Sequence, residues 1–354
     1  MSNSVWVYRL YDTAEEIKLH RVEEILSQEH QTSRMRLSRI RPKSIQFKNP
    51  PVSVELGEIP VTLRNRIYDA QFTARIYDLG VIVIIMRIPL PSGISYEDVR
   101  DLAVELNKSE TIEPLLYKQL RNTLKILSNA LIKESFSGFV EDFTIFYFRE
   151  WDESWDPVPL LLAETETVSK EVRRETLRNS FSYGLEDLTI ITWDSALVYD
   201  PTGSTDIPDL LEFANSQLLE LRYYDSLLTG EMEKMYDAIE EAEKLTSFRR
   251  LNHYRRIMNQ LMELIVDITE ITERIDNSLK VTEDVFYARV YGTALSILRT
   301  KAWEESINRK INIITQSYTM LSNRNINQRS ELLELAIVFL ILLEVFLGVF
   351  GIIN

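Results

Sequence analysis

The chain of 354 residues is 45% hydrophobic and 27% charged, carries a formal net charge of −14 (54 acidic against 40 basic residues), and has no cysteine. This is the composition of a folded protein with room for about two domains. It excludes disulfides, thiolate metal sites and cysteine nucleophiles, and so acidic a field leaves nucleic acid only an indirect partner. The three histidines, His20, His30 and His253, stand apart in the chain, which removes most zinc arrangements.

In chain order, Val5 to Tyr11 reads as a strand, and Ala14 to Ser27 as a helix with Ile17, Val22, Ile25 and Leu26 on one face. A basic stretch follows, Arg34, Arg36, Arg39, Arg41, Lys43 and Lys48, with no acidic residue between Glu29 and Glu55. It has two readings: contact with RNA or anionic lipid headgroups, or strand-edge charge that discourages sheet-to-sheet association. Strands are expected over Val52 to Arg64, Ala70 to Asp78 and Gly80 to Leu90, with a hairpin turn at Asp78-Leu79-Gly80. The last of these is continuously apolar and β-branched, which suits a strand covered on both faces.

Helices are expected over Ser95 to Asn107 and Thr111 to Ile132, the first opened by the cap and acidic turn Ser95-Tyr96-Glu97-Asp98. Then come a strand, Phe139 to Phe148, an acidic loop with two tryptophans, Arg149 to Pro159, a helix over Ser169 to Arg178 and a strand over Leu188 to Val198. Glu141-Asp-Phe-Thr-Ile145 and Glu186-Asp-Leu-Thr-Ile190 echo one another, a hint of two related halves. After Pro201 the pattern becomes long-helical: Ile207 to Ala242, Ser247 to Lys280 and Glu283 to Ser322. In the last of these Ile307, Ile311, Ile314, Tyr318 and Leu321 repeat at 4-3-4-3 spacing, the seam of a coiled stalk.

Leu335 to Ile353 is apolar except for Glu344, about the length a helix needs to cross roughly 30 Å of hydrocarbon. Leu335, Phe339, Leu343, Glu344, Val345, Phe350 and Ile353 mark the expected span. Arg324 and Arg329 precede it and nothing basic follows, so the positive-inside rule puts the preceding chain in the cytoplasm of a single-pass cell-membrane protein. A carboxylate in such a span is costly unless paired or protonated, which makes Glu344 an oligomer contact or an ion site.

The fold class expected is therefore α+β. A mixed α/β domain with ferredoxin-like character occupies 1–200, a long antiparallel helical bundle and coiled-coil stalk 205–330, and a transmembrane anchor 335–353. The N-terminus, Met1 to Glu16, lacks the basic-then-apolar order of a secretory signal. No phosphate-cradling glycine loop or nucleophile elbow is present. The carboxylate runs Glu164, Glu166, Glu171 and Glu240, Glu241, Glu243 read as solvated faces. Neither a catalytic residue nor a cofactor or metal is expected.

Several residues taken in order resemble a known family. They are Asp187-Leu-Thr-Ile190, Trp193-Asp194, Glu283-Asp-Val-Phe-Tyr-Ala-Arg289 with Tyr291, then Trp303, Lys310 and Tyr318, and finally Arg329-Ser-Glu-Leu-Leu-Glu334 before an apolar helix containing Leu343-Glu-Val345. Together they resemble the required-for-meiotic-nuclear-division family, with the likeness running from about Asp69 onward. The resemblance implies a self-associating protein anchored by one helix near its C-terminus, with no known catalytic residues, whose mitochondrial members hold ribosomes near a membrane. The functional expectation is a tail-anchored homo-oligomeric scaffold that meets the lipid bilayer and recruits a ribosome or another protein. The alternative is a channel or transporter subunit with Glu344 in the pore.

Overall fold

The computed structural model describes residues 3–29, 37–39, 49–108, 112–134, 138–244, 252, 254–263, 265–266, 268–269 and 284–351. Eleven strands are found among them: β1 (Ser4–Asp12), β2 (Ala14–Ile17), β3 (Leu37–Arg39), β4 (Val52–Leu63), β5 (Arg66–Ile76), β6 (Val81–Pro89), β7 (Leu131–Glu134), β8 (Val140–Phe148), β9 (Ser180–Phe181), β10 (Leu188–Ile191) and β11 (Ser195–Tyr199). Nine of them form one sheet in the order β3-β4-β5-β6-β1-β8-β11-β10-β9, and β2 pairs with β7 in a second. Among the described residues only β8 and β11 run parallel; the other strand pairs are antiparallel.

Turn chemistry explains the long meander. β4 and β5 are joined by Arg64 (φ 48°) and Asn65 (φ 60°), a two-residue loop whose positive dihedrals match the twist of a hairpin. The β5–β6 turn ends at Gly80, with φ 97°; a Cβ there would stand 1.8 Å from the Ala14 carbonyl oxygen, so only glycine fits.

Helices cover the sheet on both faces. On the first lie α1 (Leu19–Glu29), α2 (Tyr96–Lys108), α3 (Ile112–Leu127) and α4 (Pro157–Leu162). Against them pack Val5, Val7, Ile82, Ile84, Met86, Phe72, Ala74, Phe146 and Phe148, a continuous apolar core. A short helix, α5 (Lys170–Thr176), follows with Ser169 as its cap. The alternate residues Trp6, Tyr8, Arg75 and Tyr147 are buried on the second face. Tyr77 and Phe213 stack there at 6.3 Å between centroids, and Phe213 stacks in turn on Tyr291 at 6.0 Å. Those rings bring in α6 (Asp206–Glu243) and α7 (Val285–Ile297).

The chain divides into two compact units, residues 1–223 with 275–302, and residues 224–274 with 303–354. The boundary thus falls inside α6 and inside α8 (Thr300–Gly351). The second unit is helical among the described residues, and it buries Leu228, Met235, Tyr254, Ile257, Leu261, Ile307 and Ile314. Lys310 Nζ donates to Asp225 Oδ1 at 2.7 Å and to Thr229 Oγ1 at 2.6 Å, tying α8 to α6 within that unit.

Several expectations are corrected. The fold is α+β, but the sheet is a nine-stranded, largely antiparallel meander and has no four-stranded ferredoxin-like plan. The expected helix from Ala14 starts only at Leu19, because residues 14–17 pair with β7, itself the end of the expected helix Thr111 to Ile132. Leu188 to Val198 is two strands around a turn at Trp193-Asp194. The helix expected from Glu283 to Ser322 breaks at Arg299, where φ is 53°.

The membrane span is also corrected: among the described residues, no helix is long and apolar enough to cross a membrane. The described side chains of the expected span run from Leu335 to Phe346 with Glu344 among them. The transmembrane anchor, the tail-anchored single-pass placement and the bilayer as partner that rested on it therefore lose their support. The side chain of Phe350, and Ile353 altogether, lie outside the described residues.

Candidate functional site

Three places break the ordinary partition of polar and apolar groups. The first is buried between the sheet and α6. Arg75 points from β5 toward the carboxylates of Asp209 and Glu212, which follow one another at three-residue spacing on α6 and so share a face. Its Nη1 lies 2.6 Å from Asp209 Oδ1 and also contacts Glu212 Oε2. Tyr77 donates its hydroxyl to Glu212 Oε1 at 2.9 Å, and Thr205 Oγ1 donates to Asp209 Oδ2 at 3.0 Å. None of the three charged side chains is more than 6% exposed. Beside them Arg87 lies 3.9 Å from the Trp6 ring centroid, a cation–π contact.

Electrostatics follow from that burial. Desolvation is the largest influence on Glu212; Asp209 adds to it and Arg75 opposes it, and the carboxyl is pushed up to about 7. Burial works against the charge of Arg75, but Asp209 and Glu212 outweigh it and hold the guanidinium protonated. Burial raises the Tyr8 and Tyr77 hydroxyls and lowers Arg87. Such shifts often mark chemistry. Here Arg75, Asp209 and Glu212 are buried, and none of them lines the three clefts found among the described residues.

The second place is an open cleft of about 900 Å³ at the carboxyl ends of β6, β8 and β11, with Asn3, Arg149, Glu150, Asp152 and Trp151 in its wall. The tryptophan loop singled out in the sequence lies here. Trp151 and Trp155 meet Phe148 edge-on at 5.0 and 6.0 Å, which anchors both rings to the core. The polar groups of the loop serve the loop itself. Asn3 Oδ1 accepts from the Arg149 and Glu150 amides, and Asp152 Oδ1 accepts from the Ser154 amide and hydroxyl. Its lining holds no hydroxyl hydrogen-bonded to a base, the arrangement that nucleophilic catalysis requires. Among the described residues no three His, Asp or Glu gather as metal ligands.

The third place is α8 between Leu335 and Phe346. Its ten large apolar side chains there are 44–66% exposed, on all sides of the helix, around Glu344. That range contains five of the expected span residues, Leu335, Phe339, Leu343, Glu344 and Val345. Of the expected stalk seam, Ile307 and Ile314 are buried and Ile311 is half-buried, whereas the side chains of Tyr318 and Leu321 lie outside the described residues. Of the basic stretch, Arg39 lies on β3 at the sheet edge; Arg34, Arg36, Arg41, Lys43 and Lys48 lie outside the described residues. Neither Arg75 nor the α6 carboxylates were expected as a cluster. The available signals were a lone arginine between Ala74 and Ile76 and two acids embedded among Leu210, Leu211 and Phe213.

Residues 2–205 match the family described as the N-terminal domain of the uncharacterized protein MJ0711. The chain belongs to that family. The match spans all eleven strands and stops just before α6, so the MJ0711 family domain comprises the sheet and its first helical layer, and Asp209 and Glu212 lie beyond it. The uncharacterized protein MJ0711 of Methanocaldococcus jannaschii is 27% identical over 230 residues, covering 62% of this chain and 69% of that protein. No solved structure matches.

Proposed function

We propose that this protein is a non-enzymatic scaffold whose copies associate through the apolar part of α8. The observation that carries this reading is the exposed segment Leu335 to Phe346. At roughly 100 Å² per half-exposed side chain it presents on the order of 1,000 Å², well above the few hundred Å² usual for a monomer. That area also matches the roughly 800 Å² each partner buries in a stable interface. The occupant is the same segment of a second copy, because like helices that are apolar on every face can cover one another. Glu344 lies within that segment and therefore at the contact.

Sedimentation equilibrium of the full chain tests this: an oligomer is expected, converted to monomer by Leu340→Glu. A chain that is monomeric throughout would overturn the reading. Glu344→Gln is expected to alter the copy number, and an unchanged oligomer removes Glu344 from the contact. The channel reading needs a membrane span and is not carried forward.

For the recruited partner, the resemblance to the required-for-meiotic-nuclear-division family, a finer assignment than the MJ0711 family, points to translation machinery. Ribosomes are expected to co-purify with the full chain, and to be lost when Arg34, Arg36, Arg39 and Arg41 become Glu. Retention after those changes would count against the basic stretch as the contact.

A further inference from the structure

A second cleft, of about 590 Å³, opens among the end of α4, the segment after α5, the β10–β11 hairpin and the C-terminal end of α7. Its size falls in the range of small-molecule sites. On a chain of charge −14 its wall is locally basic, with Arg178 and Arg299 set against Glu175 alone. Arg178 pairs with Glu175 at 3.2 Å, but both side chains are about 70% exposed, so the pair contributes little and leaves the guanidinium available. Arg299 has no carboxylate partner among the described residues.

Two residues stand out in this wall, one for its exposure and one for its backbone. Trp193 occupies the two-residue turn of the β10–β11 hairpin. The turn is already closed by the Thr192 amide donating to the Ser195 carbonyl at 2.8 Å and by the Ser195 amide donating to Thr192 Oγ1 at 3.1 Å. The ring is 51% exposed and stacks on no other ring among the described residues. Arg299 closes α7 at φ 53°, its amide donating to the Ser296 carbonyl at 3.2 Å, at the position where glycine is the unstrained choice. A flat apolar face and a guanidinium thus line one opening, the guanidinium on a backbone held against local preference.

We propose that this cleft binds a mononucleotide, with its base on the Trp193 ring and its phosphate on Arg178 and Arg299. Indole offers a stacking face to any base, and guanidinium groups bind phosphate oxygens in bidentate fashion. Asn179 and Ser296, also in the wall, offer polar groups to the sugar. The site lies in the first unit and is independent of the association through α8.

Calorimetry on the full chain with adenosine monophosphate, adenosine and inorganic phosphate tests it, alongside quenching of tryptophan fluorescence. The monophosphate is expected to bind more tightly than either fragment, and Trp193→Ala or Arg178→Gln to weaken it by about tenfold or more. Arg299→Gly separates binding from folding. It relieves the left-handed strain, so the melting temperature is expected to hold or rise while binding falls. No binding of the monophosphate up to about 5 mM would overturn the proposal. So would phosphate binding as tightly as the nucleotide, or affinity unmoved by both Trp193→Ala and Arg299→Gly. A single-stranded oligonucleotide that binds where the monophosphate does not would equally overturn it, in favour of a nucleic-acid contact.

Discussion

The surroundings of Arg75 and the end of α8 are inversions of each other. One buries three charged side chains between a sheet and a helix; the other leaves ten large apolar side chains in the open. Buried charge is tolerated only where each group finds opposite charge and hydrogen bonds in place. Arg75 finds both because β5 and α6 present complementary groups within one chain. Exposed apolar surface is tolerated only where something outside the chain covers it. The first region is complete by itself, and the second is an argument for partners.

The strongest test of that contrast is to break the buried cluster. Arg75→Met leaves Asp209 and Glu212 without their cation and is expected to cost about 3–5 kcal/mol in chemical denaturation. Replacing all three by apolar residues of similar size is expected to recover most of the loss. A single substitution costing under about 1 kcal/mol would show that the charges are not in contact.

Next in size is a pH effect. Glu212 titrates near 7 in the folded chain against an ordinary value of 4.5. Below pH 4.5 both states carry the proton and the stability from burying neutral Glu212 is fully present. Between 4.5 and about 7 the unfolded chain releases a proton the folded chain keeps, so stability falls as pH rises, by at most roughly 3 kcal/mol. Denaturation of the protein and of Glu212→Gln at pH 4.5, 6 and 7.5 checks this. The difference between the two should change in that window; a constant difference would contradict the raised value.

A smaller loss is expected from Gly80→Ala, which must move the Ala14 carbonyl and strain a residue at φ 97°. About 1–3 kcal/mol is expected, read as a lower melting temperature. The smallest effect belongs to α8. Leu340→Glu is expected to leave the stability of the first unit within about 0.5 kcal/mol while abolishing association, because the residue is exposed and lies in the second unit. If that substitution unfolded the first unit, the comparison between the two regions would fail.

Much of the strand layout was legible because it depends on local pattern. Alternation and β-branching placed β1, β4, β5, β6 and β8 within a few residues, and Asp78-Leu79-Gly80 marked a turn whose glycine proves sterically required. The cap at Ser95 and the acidic turn behind it likewise located α2. Where local pattern is ambiguous, distant pairing decides. Ala14 to Ile17 suits a helix or a strand equally, and pairing with residues 131–134, more than a hundred positions away, decides for the strand. The turn at Trp193-Asp194 was hidden because neither its tryptophan nor its flanks announce a hairpin.

The candidate sites divide along the same line. Composition alone removed cysteine chemistry, and the apolar run around Glu344 was plain in one dimension, because hydropathy is a property of consecutive residues. What such a run does is not local. Among the described residues no helix is long and apolar enough to cross a membrane, and the apolar side chains of α8 stand exposed, which only the folded chain shows. The union of Arg75 with Asp209 and Glu212, and of Arg178 and Trp193 with Arg299, could come only from tertiary structure. Electrostatic and stacking energies depend on separations of a few ångströms between residues that the chain itself holds more than a hundred positions apart.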